Sequence, residues 1–254
     1  MMSKTMPLIS VITPSYNAVT TIGDTIASVI GQTYKNWEMV IVDDGSTDGT
    51  RELLTEALLL DSRIKVHVLE ENSGAAIARN TALQHAAGRF VAFLDSDDRW
   101  KPDKLQKQLD FMQEHDYAFS FTAYEYMTQD GESLNRVVQA PECVTYKDML
   151  KNTIVGCLTV MIDRAKTGPF QMPLLRSRQD LATWLSLLKQ GITAYGLNEN
   201  LADYRIGVKS LSSNKLKVSR RTWYVYREIE QLNVWKAMWY FTHYAANAMK
   251  KRVL

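Results

Sequence analysis

Cysteine and histidine are scarce in this sequence, and long uninterrupted apolar runs are missing. Of the 254 residues, two are cysteine and four are histidine. Cys143 and Cys157 form no C-x-x-C pair, which argues against a disulfide framework or a thiolate zinc site and favours a reducing cytoplasm. No apolar run approaches the roughly 20 residues that span a bilayer, and the first residues lack the apolar stretch of a signal peptide. We therefore expect a cytoplasmic protein without a membrane-spanning segment.

A large net charge is also missing, but the charges are unevenly distributed. Thirty Lys and Arg face 28 Asp and Glu, a net charge of +2. Residues 205–254 hold eleven bases and two acids, a net +9, so the preceding 204 residues hold 19 bases and 26 acids, a net −7. A basic segment on an acidic body is typical of proteins that bind an anionic surface or ligand.

Strand-like runs alternate with helical patterns over the first 115 residues. The hydrophobic pattern predicts strands at 8–13, 38–42, 64–69 and 90–94, followed by helices at about 21–30, 47–60, 74–87 and 102–115. Such alternation predicts βαβ units and a mostly parallel central sheet flanked by helices, the α/β class. Further on, strands are predicted at 117–127, 158–162, 192–195 and 201–206, a hairpin turn at 129–132 and a helix at 180–189.

No repeat or flexible linker divides the chain. The sequence predicts one domain over residues 1–218, with a nucleotide-binding half up to about residue 115 and an acceptor-binding half after it. Residues 219–254 are predicted to form a basic, aromatic extension of one or two helices.

Two acidic loops follow predicted strands. Asp43 and Asp44 come after the second strand, and the run from Asp95 to Asp98 comes after the fourth. The first loop is equally consistent with a turn and helix cap or with a carboxylate that accepts the imide N–H of uracil. The second crowds three carboxylates, and a hard cation bound by oxygens, Mg²⁺ or Mn²⁺, would relieve their repulsion. The two loops together indicate a site for a metal-bridged nucleotide.

An ordered set of short motifs resembles the family 2 glycosyltransferases, which have the GT-A fold. The motifs are SVITPSYN (10–17), QTY (32–34), VDDGSTD (42–48), NSG (72–74), ARN (78–80) and FLDSDD (93–98). The resemblance covers the first 115 residues closely and resumes near RQD (178–180) and YR (204–205). It is most similar to small bacterial enzymes that build O-antigen and other surface polysaccharides.

The resemblance implies roles for individual residues. The nucleotide-sugar site would contain residues from the motifs above: Pro14, Tyr16, Asn17, Asp43, Asp44, Arg79, Asp95, Ser96 and Arg205. Asp97, together with Asp95, would bind the metal. Asp180 would be the catalytic base, although Gln179 replaces the glutamate that usually precedes it, and an acid stabilised by the helix dipole is the plain alternative. Ser210, Ser212, Ser213 and Lys215 would belong to a segment that folds over the diphosphate, with a solvated basic loop as the plain alternative.

The C-terminal segment combines aromatic and basic residues. Tryptophan, tyrosine and phenylalanine recur from Trp223 to Tyr244 and precede a basic run at 250–252. This composition favours contact with the membrane interface, but it also suits an amphipathic helix packed on the core. Single-stranded nucleic acid prefers similar surfaces, yet the acidic body and the sugar-nucleotide motifs argue against nucleic acid as a partner.

The resemblance implies an inverting, metal-dependent hexosyltransferase. Its donor would be a UDP-sugar, its acceptor a polyprenyl-diphosphate-linked saccharide, its product a β-linkage, and its location the cytoplasmic face of the inner membrane. Two alternatives are a sugar-1-phosphate nucleotidyltransferase, disfavoured because the loop after the first strand lacks glycine and basic residues, and a non-catalytic nucleotide-sugar-binding scaffold, disfavoured by the intact acids Asp95, Asp97 and Asp180.

Overall fold

The computed structural model describes residues 6–207 and 215–253, with side chains over 217–249 in the second range. Its strands are β1 (Ile9–Ser15), β2 (Trp37–Asp43), β3 (Ile64–Val68), β4 (Phe90–Phe93), β5 (Arg99–Trp100), β6 (Phe119–Met127), β7 (Ser133–Val138), β8 (Cys143–Val144), β9 (Met161–Asp163) and β10 (Ala194–Arg205). Its α-helices are α1 (Ile22–Ile30), α2 (Thr50–Leu60), α3 (Ala75–His85), α4 (Lys104–Glu114), α5 (Tyr146–Lys151), α6 (Arg164–Thr167), α7 (Gln179–Lys189), α8 (Lys215–Tyr224) and α9 (Val234–Val253).

These strands form one sheet in the order β3-β2-β1-β4-β9-β6-β10-β5, with β7 on β6 and β8 on β10. The first four strands along the chain pair in parallel, as do β6 and β10, whereas β9 runs antiparallel between β4 and β6. The predicted α/β fold with a mostly parallel sheet flanked by helices is therefore confirmed. The loops that follow β1, β2 and β4 leave the sheet at the same edge, where ligands of such folds bind.

Apolar side chains on the two faces of the sheet form two core clusters. On β1, Val11 belongs to one cluster and Ile12 to the other, and on β2 the same alternation separates Ile41 from Val42. Successive side chains of a strand point to opposite faces, and helices cover both faces of this sheet. These strands therefore read as continuous apolar runs rather than alternating ones, and this pattern is what predicted them from the sequence.

The second half of the chain departs from the predicted elements in two places. Residues 157–159 form a 3₁₀ turn, so the strand predicted at 158–162 shortens to β9. The strands predicted at 192–195 and 201–206 are one continuous strand, β10, whose register against β6 shifts between Leu197 and Asn200 and again between Asn200 and Asp203. The hairpin turn at 129–132 is confirmed, because β6 and β7 pair antiparallel across it and Gly131 adopts φ +83°.

The helices after residue 214 pack on the sheet. A π-helical turn (Val225–Ile229) follows α8, and Val225, Tyr226 and Ala237 are buried in the same core cluster as Phe93 of β4. The Tyr146 hydroxyl donates to Glu230 Oε2 at 2.6 Å. Within the part of the chain that the structure describes, no helix combines the length and the apolar character needed to cross a bilayer.

Candidate active site

The loops after β1, β2 and β4 are bonded to one another because their strands are neighbours. The Asn17 N–H donates to Ser46 Oγ, and Asn17 Oδ1 accepts from the Thr47 N–H, both at 2.9 Å. The Thr21 hydroxyl donates to the Ser96 carbonyl at 2.9 Å. The fold thus brings Asn17 and Ser96, 79 positions apart in the sequence, to one edge of the sheet.

The remaining residues proposed to hold the nucleotide base differ in their exposure. Pro14 is buried within β1, whereas Tyr16 is 48% exposed directly after it. Asp43 and Asp44 are both buried at the end of β2. A base that approached this edge would meet the Tyr16 ring without a rearrangement, whereas the two carboxylates lie behind the surface.

Protein groups already bond both of these carboxylates. Asp44 accepts the backbone N–H groups of Ser73 and Gly74 at 2.7 and 2.8 Å, which fixes the start of α3 against β2. Asp43 Oδ2 accepts Arg51 Nε at 2.9 Å, while its buried Oδ1 has no partner. Both residues therefore have a structural role in holding their loops, although neither caps a helix, and a role in binding uracil stays a prediction.

Arg79 of α3 is buried against the loop after β4. Its guanidinium donates to Asp95 Oδ1 at 2.5 Å, and the Asp95 side chain keeps 31% of its surface exposed. Burial would lower the pKa of Arg79, but the charge and hydrogen bond of Asp95 and the charge of Asp180 together raise it above the ordinary value. Arg79 therefore stays charged and holds Asp95 at the edge of the sheet.

Like charges are crowded in the loop after β4. Asp97 is exposed, yet the surrounding protein desolvates its carboxylate and the charge of Asp95 repels it, which raises the pKa of Asp97 to about 6. Asp98 is buried, and desolvation together with the charges of Asp97 and Asp95 raises its pKa well above the usual range. The protein offers these acids too little positive charge, as expected of a site completed by a cation.

Arg205 lies beneath this loop rather than in the open site. Its backbone N–H donates to Asp98 Oδ1 at 2.9 Å, and its Nε donates to the Asp97 carbonyl at 2.7 Å. The remaining guanidinium nitrogens bond the Gln129 carbonyl and Asp24 Oδ2. Because every nitrogen is used inside the protein, we expect Arg205 to act on a nucleotide by holding the Asp97 loop. Direct binding stays a prediction, and residues 208–214 lie outside the described residues.

Asp180 and Asp95 line one cavity of about 530 Å³. Asp180 stands in the first turn of α7, and Asp95 reaches the same space from the loop after β4. Aromatic residues and one basic residue also line this cavity: Tyr124, Tyr126, Trp184, Tyr204 and Arg178. The cavity thus contains a carboxylate able to accept a proton, Asp180, together with one of the predicted metal-binding acids, Asp95, and several aromatic side chains.

The residue before α7 has an unusual backbone. Arg178 adopts φ +67° and ψ +14°. Residues with a β-carbon seldom occupy this left-handed region. Such a conformation costs roughly 1–3 kcal/mol and persists only where the surroundings impose it. The C-terminal helices supply two of those contacts: Tyr244 accepts from Arg178 Nη2 at 2.8 Å, and Arg221 donates to Ser177 Oγ at 2.7 Å.

Asp95 and Asp97 fit a divalent cation, which the fold implies. Both side chains offer carboxylate oxygens, and positive charge would relieve the repulsion between them. Among residues 6–207 and the described part of the C-terminal segment, no three His, Cys, Asp or Glu side chains are grouped to hold a metal. Mg²⁺ commonly takes one or two carboxylates and completes its shell with substrate phosphates and water, and Mn²⁺ accepts the same ligands.

Comparison with known proteins decides the family. The model of glycosyl transferase family 2 matches residues 10–165, more than half of the chain. The chain belongs to this family. It is 62% identical over 252 residues, 99% of this chain and 100% of the relative, to the putative teichuronic acid biosynthesis glycosyltransferase TuaG of Bacillus subtilis. It is 42% identical over 245 residues, 96% of this chain and 94% of the relative, to the Escherichia coli β-1,3-glucosyltransferase WfgD.

Solved structures share the fold of this family 2 glycosyltransferase. Staphylococcus aureus TarS, residues 1–349 in complex with UDP-GlcNAc, superposes with a TM-score of 0.72 at 21% identity, over 96% of this chain and 73% of that one. The mannosyltransferase PcManGT from Pyrobaculum calidifontis, in complex with GDP-Man and Mn²⁺, superposes with a TM-score of 0.68 at 17% identity, over 98% of this chain and 76% of that one. The predicted family and GT-A fold are thus confirmed.

Sequence reasoning missed several residues that this glycosyltransferase places at the cavity. Asp98 belonged to the acidic run but was not predicted as a site residue, and its bond to Arg205 spans 107 positions. Arg178 lies two residues before the predicted base, and its only signal in the sequence was its place in the motif at residues 178–180. Tyr124 and Tyr126 alternate on β6 with residues of the core, yet both reach the cavity, because the end of a strand leaves the packed layer.

Proposed function

We propose that this glycosyltransferase transfers a hexose from a UDP-sugar to a lipid-diphosphate-linked saccharide with inversion at the anomeric carbon. The observation that carries the proposal is the cavity shared by Asp95 and Asp180. One carboxylate comes from the loop where a metal-bound diphosphate would lie, and the other stands where an acceptor hydroxyl would approach. A single displacement requires these two groups on opposite sides of the reacting carbon.

The names of the relatives support the choice of substrates. WfgD is a UDP-Glc:α-D-GlcNAc-diphosphoundecaprenol β-1,3-glucosyltransferase, and WfaP, 40% identical over 214 residues, carries the same description. TuaG is assigned to teichuronic acid biosynthesis, and TarS binds UDP-GlcNAc. These proteins share a UDP-sugar donor or a surface-polysaccharide product, so we assign this chain a UDP-hexose donor and a polyprenyl-diphosphate saccharide acceptor.

Asp180 acts as the general base in this proposal. Its carboxylate takes the proton from the acceptor hydroxyl as that oxygen attacks C1 of the donor sugar from the face opposite UDP. The bond from C1 to the UDP oxygen breaks as the new bond forms, so an α-linked donor gives a β-linked product. Asp95 and Asp97 would hold a divalent cation, whose positive charge would offset the charge that develops on the departing UDP. Arg205 keeps the loop of those acids in place.

The family match favours this reaction over the two alternatives. A nucleotidyltransferase would catalyse attack of a sugar 1-phosphate on a nucleoside triphosphate and would not need a base 85 positions after Asp95. A binding scaffold would need neither the base nor the acids. UDP release from a UDP-sugar in the presence of a saccharide diphosphate separates the proposed reaction from both, because neither alternative releases UDP. A nucleotidyltransferase is told from a scaffold by pyrophosphate release from UTP and a sugar 1-phosphate.

A panel of UDP-hexoses tests the proposal. The purified chain is incubated with Mn²⁺, a synthetic α-N-acetylglucosaminyl alkyl diphosphate and one donor at a time. We expect UDP release and a disaccharide with an axial–axial H1–H2 coupling by NMR for at least one gluco- or galacto-configured donor. A retained α-configuration would exclude the inverting mechanism, and absence of transfer with every UDP-sugar would exclude the donor class.

We also propose that α9 contacts the membrane surface. Trp235 and Trp239, one helical turn apart, are 76% and 61% exposed. They line a groove with Lys147 and Lys236, so aromatic rings and ammonium groups share one surface. Tryptophan and lysine are favoured at the interface of a bilayer, where each basic residue contributes roughly 1 kcal/mol near anionic lipids. This surface fits the headgroup region beside a lipid-linked acceptor.

Replacing Trp235 and Trp239 together by serine should weaken binding to phosphatidylglycerol-rich vesicles by about tenfold or more, since two interfacial indoles are lost. Vesicle co-sedimentation measures the effect. The matched control replaces Leu59 and Leu60 by serine, because these leucines of α2 are 85% and 76% exposed on another surface. The control should bind as the unchanged protein does. Equal binding by both double variants would remove α9 from this role.

A further inference from the structure

Arg178 is a cation in a cavity whose other charged lining residues are acids. Among the described residues that line the cavity, it is the only basic one, and Asp95, Asp98 and Asp180 are the acidic ones. Arg79 pairs with Asp95, whereas Arg178 forms a salt bridge with no described residue. An arginine placed near acids without pairing with them retains its charge for another anion.

The hydrogen bonds of the Arg178 guanidinium leave donors available. Nη2 donates to the Tyr244 hydroxyl at 2.8 Å, and the Arg178 carbon Cζ lies 5.8 Å from the centre of the Tyr244 ring. Nε is buried and has no partner in the described structure. Tyr244 therefore fixes the position of the guanidinium while bonding only one of its nitrogens. A planar group with free N–H donors in fixed positions matches the oxygens of a phosphate.

The backbone around Arg178 adds a second source of positive potential. Arg178 stands at the N-terminus of α7, an 11-residue helix whose first turn no side chain caps. The N-terminus of a helix carries partial positive charge and exposed N–H groups, which favour anions. The left-handed conformation of Arg178 is imposed by its surroundings, with Arg221 bonded to the adjacent Ser177. The helix end and the guanidinium are thus held together on one side of the cavity.

We infer that Arg178 binds the diphosphate of the acceptor, at an anion site separate from that of the donor diphosphate. The inference rests on the proposed function, because it takes the acceptor to carry a diphosphate on its sugar. Asp180, two residues further on, receives the proton of the acceptor hydroxyl. The diphosphate is attached to the same sugar ring as that hydroxyl, so it lies within the width of one ring of Asp180, in the cavity that Tyr124 and Tyr126 also line.

The donor diphosphate is placed elsewhere by the same geometry. The acids predicted to hold its metal, Asp95 and Asp97, belong to the loop after β4, and Arg79 supports that loop from α3. Arg178 stands at the start of a different element, α7, which also carries the base. In-line displacement puts the acceptor hydroxyl and the departing UDP on opposite sides of C1, so the acceptor's diphosphate needs a cation other than those that serve UDP.

Arg178→Met tests the inference when two acceptors are compared. One is an α-N-acetylglucosaminyl alkyl diphosphate, and the other is the alkyl α-N-acetylglucosaminide, which lacks the diphosphate. We expect kcat/KM for the diphosphate acceptor to fall about 30-fold, mostly through KM, and that for the neutral acceptor to change less than about threefold. Arg178→Lys should recover part of the loss, and Tyr244→Phe should give a smaller loss of the same kind.

Controls separate the possible outcomes. Arg176→Met removes an exposed arginine two positions earlier and should leave both acceptors unaffected. Equal losses for both acceptors, or a raised KM for the UDP-sugar, would overturn the inference by assigning Arg178 to the fold or to the donor. Calorimetric titration of the diphosphate acceptor in the presence of UDP and Mn²⁺ gives an answer without turnover. Equal affinity in the unchanged chain and Arg178→Met overturns the inference, whereas absence of transfer in the unchanged chain contradicts the proposed function instead.

Discussion

Asp180→Asn is expected to lower kcat for sugar transfer by about 10³-fold while the affinity for UDP changes little. General bases contribute typically 10²- to 10⁴-fold, and an amide cannot take the proton from the acceptor hydroxyl. UDP affinity is preserved because Asp180 belongs to α7, whereas the acids proposed to hold the metal of the donor belong to the loop after β4. Single-turnover rates measure the first effect, and calorimetric titration of UDP measures the second.

Glu52→Gln is the matched control for Asp180→Asn. Glu52 is an exposed acid in the first turn of α2, so it shares with Asp180 the favourable position at a helix N-terminus. If Asp180 served only the helix dipole, both substitutions would cost a few tenths of a kcal/mol of stability and leave transfer intact. Transfer by Asp180→Asn at more than a tenth of the normal rate would remove Asp180 from the role of base.

Asp97→Asn is expected to remove most of the increase in UDP affinity that Mn²⁺ produces, a loss of about 10²-fold. The neutral amide is a poor ligand for a hard cation, whereas weak UDP binding without metal should be unchanged. Desolvation and the repulsion from Asp95 together raise the pKa of Asp97 to about 6 in the folded protein, and the same substitution removes both costs. We therefore expect the melting temperature in metal-free buffer to stay constant or rise.

Chelation and a distant acid provide the comparisons for Asp97→Asn. EDTA should reduce the UDP affinity of the unchanged protein to the level of the variant, and added Mn²⁺ should restore only the unchanged protein. Asp110→Asn changes an exposed acid of α4 and should respond to Mn²⁺ as the unchanged protein does. A metal response that survives Asp97→Asn would contradict the assignment, and a lowered melting temperature would show that the loop had been damaged instead.

The sequence predicted the first half of the fold well because there each signal is local. Strands β1, β2 and β4 are buried on both faces and read as continuous apolar runs, and acids follow where β2 and β4 end. The motifs therefore mark both the strand and the loop at its end that carries the predicted site residues. The family resemblance then supplied Asp180, since an aspartate in the first turn of a helix is otherwise unremarkable.

The second half was predicted poorly because its signals depend on distant residues. Polar Asn198, Glu199 and Asn200 interrupt the apolar pattern of β10, so one strand looked like two. The strand β5 has only two residues and exists through pairing with Ala202 and Asp203 of β10. The contact of Arg178 with Tyr244 joins positions 66 apart. Hydrophobic periodicity cannot reveal such pairs, since it describes one element at a time.

Trp184 shows that the segment matched by the family model is smaller than the unit that folds. The match ends at residue 165, but Phe93 and Phe119 within it each pack their rings 5.4 Å from the Trp184 ring. A protein trimmed to the matched segment would leave these phenylalanines bare on one side of the sheet, which invites aggregation. Shortened versions for crystallisation or fusion should therefore retain α7 and the helices that follow it.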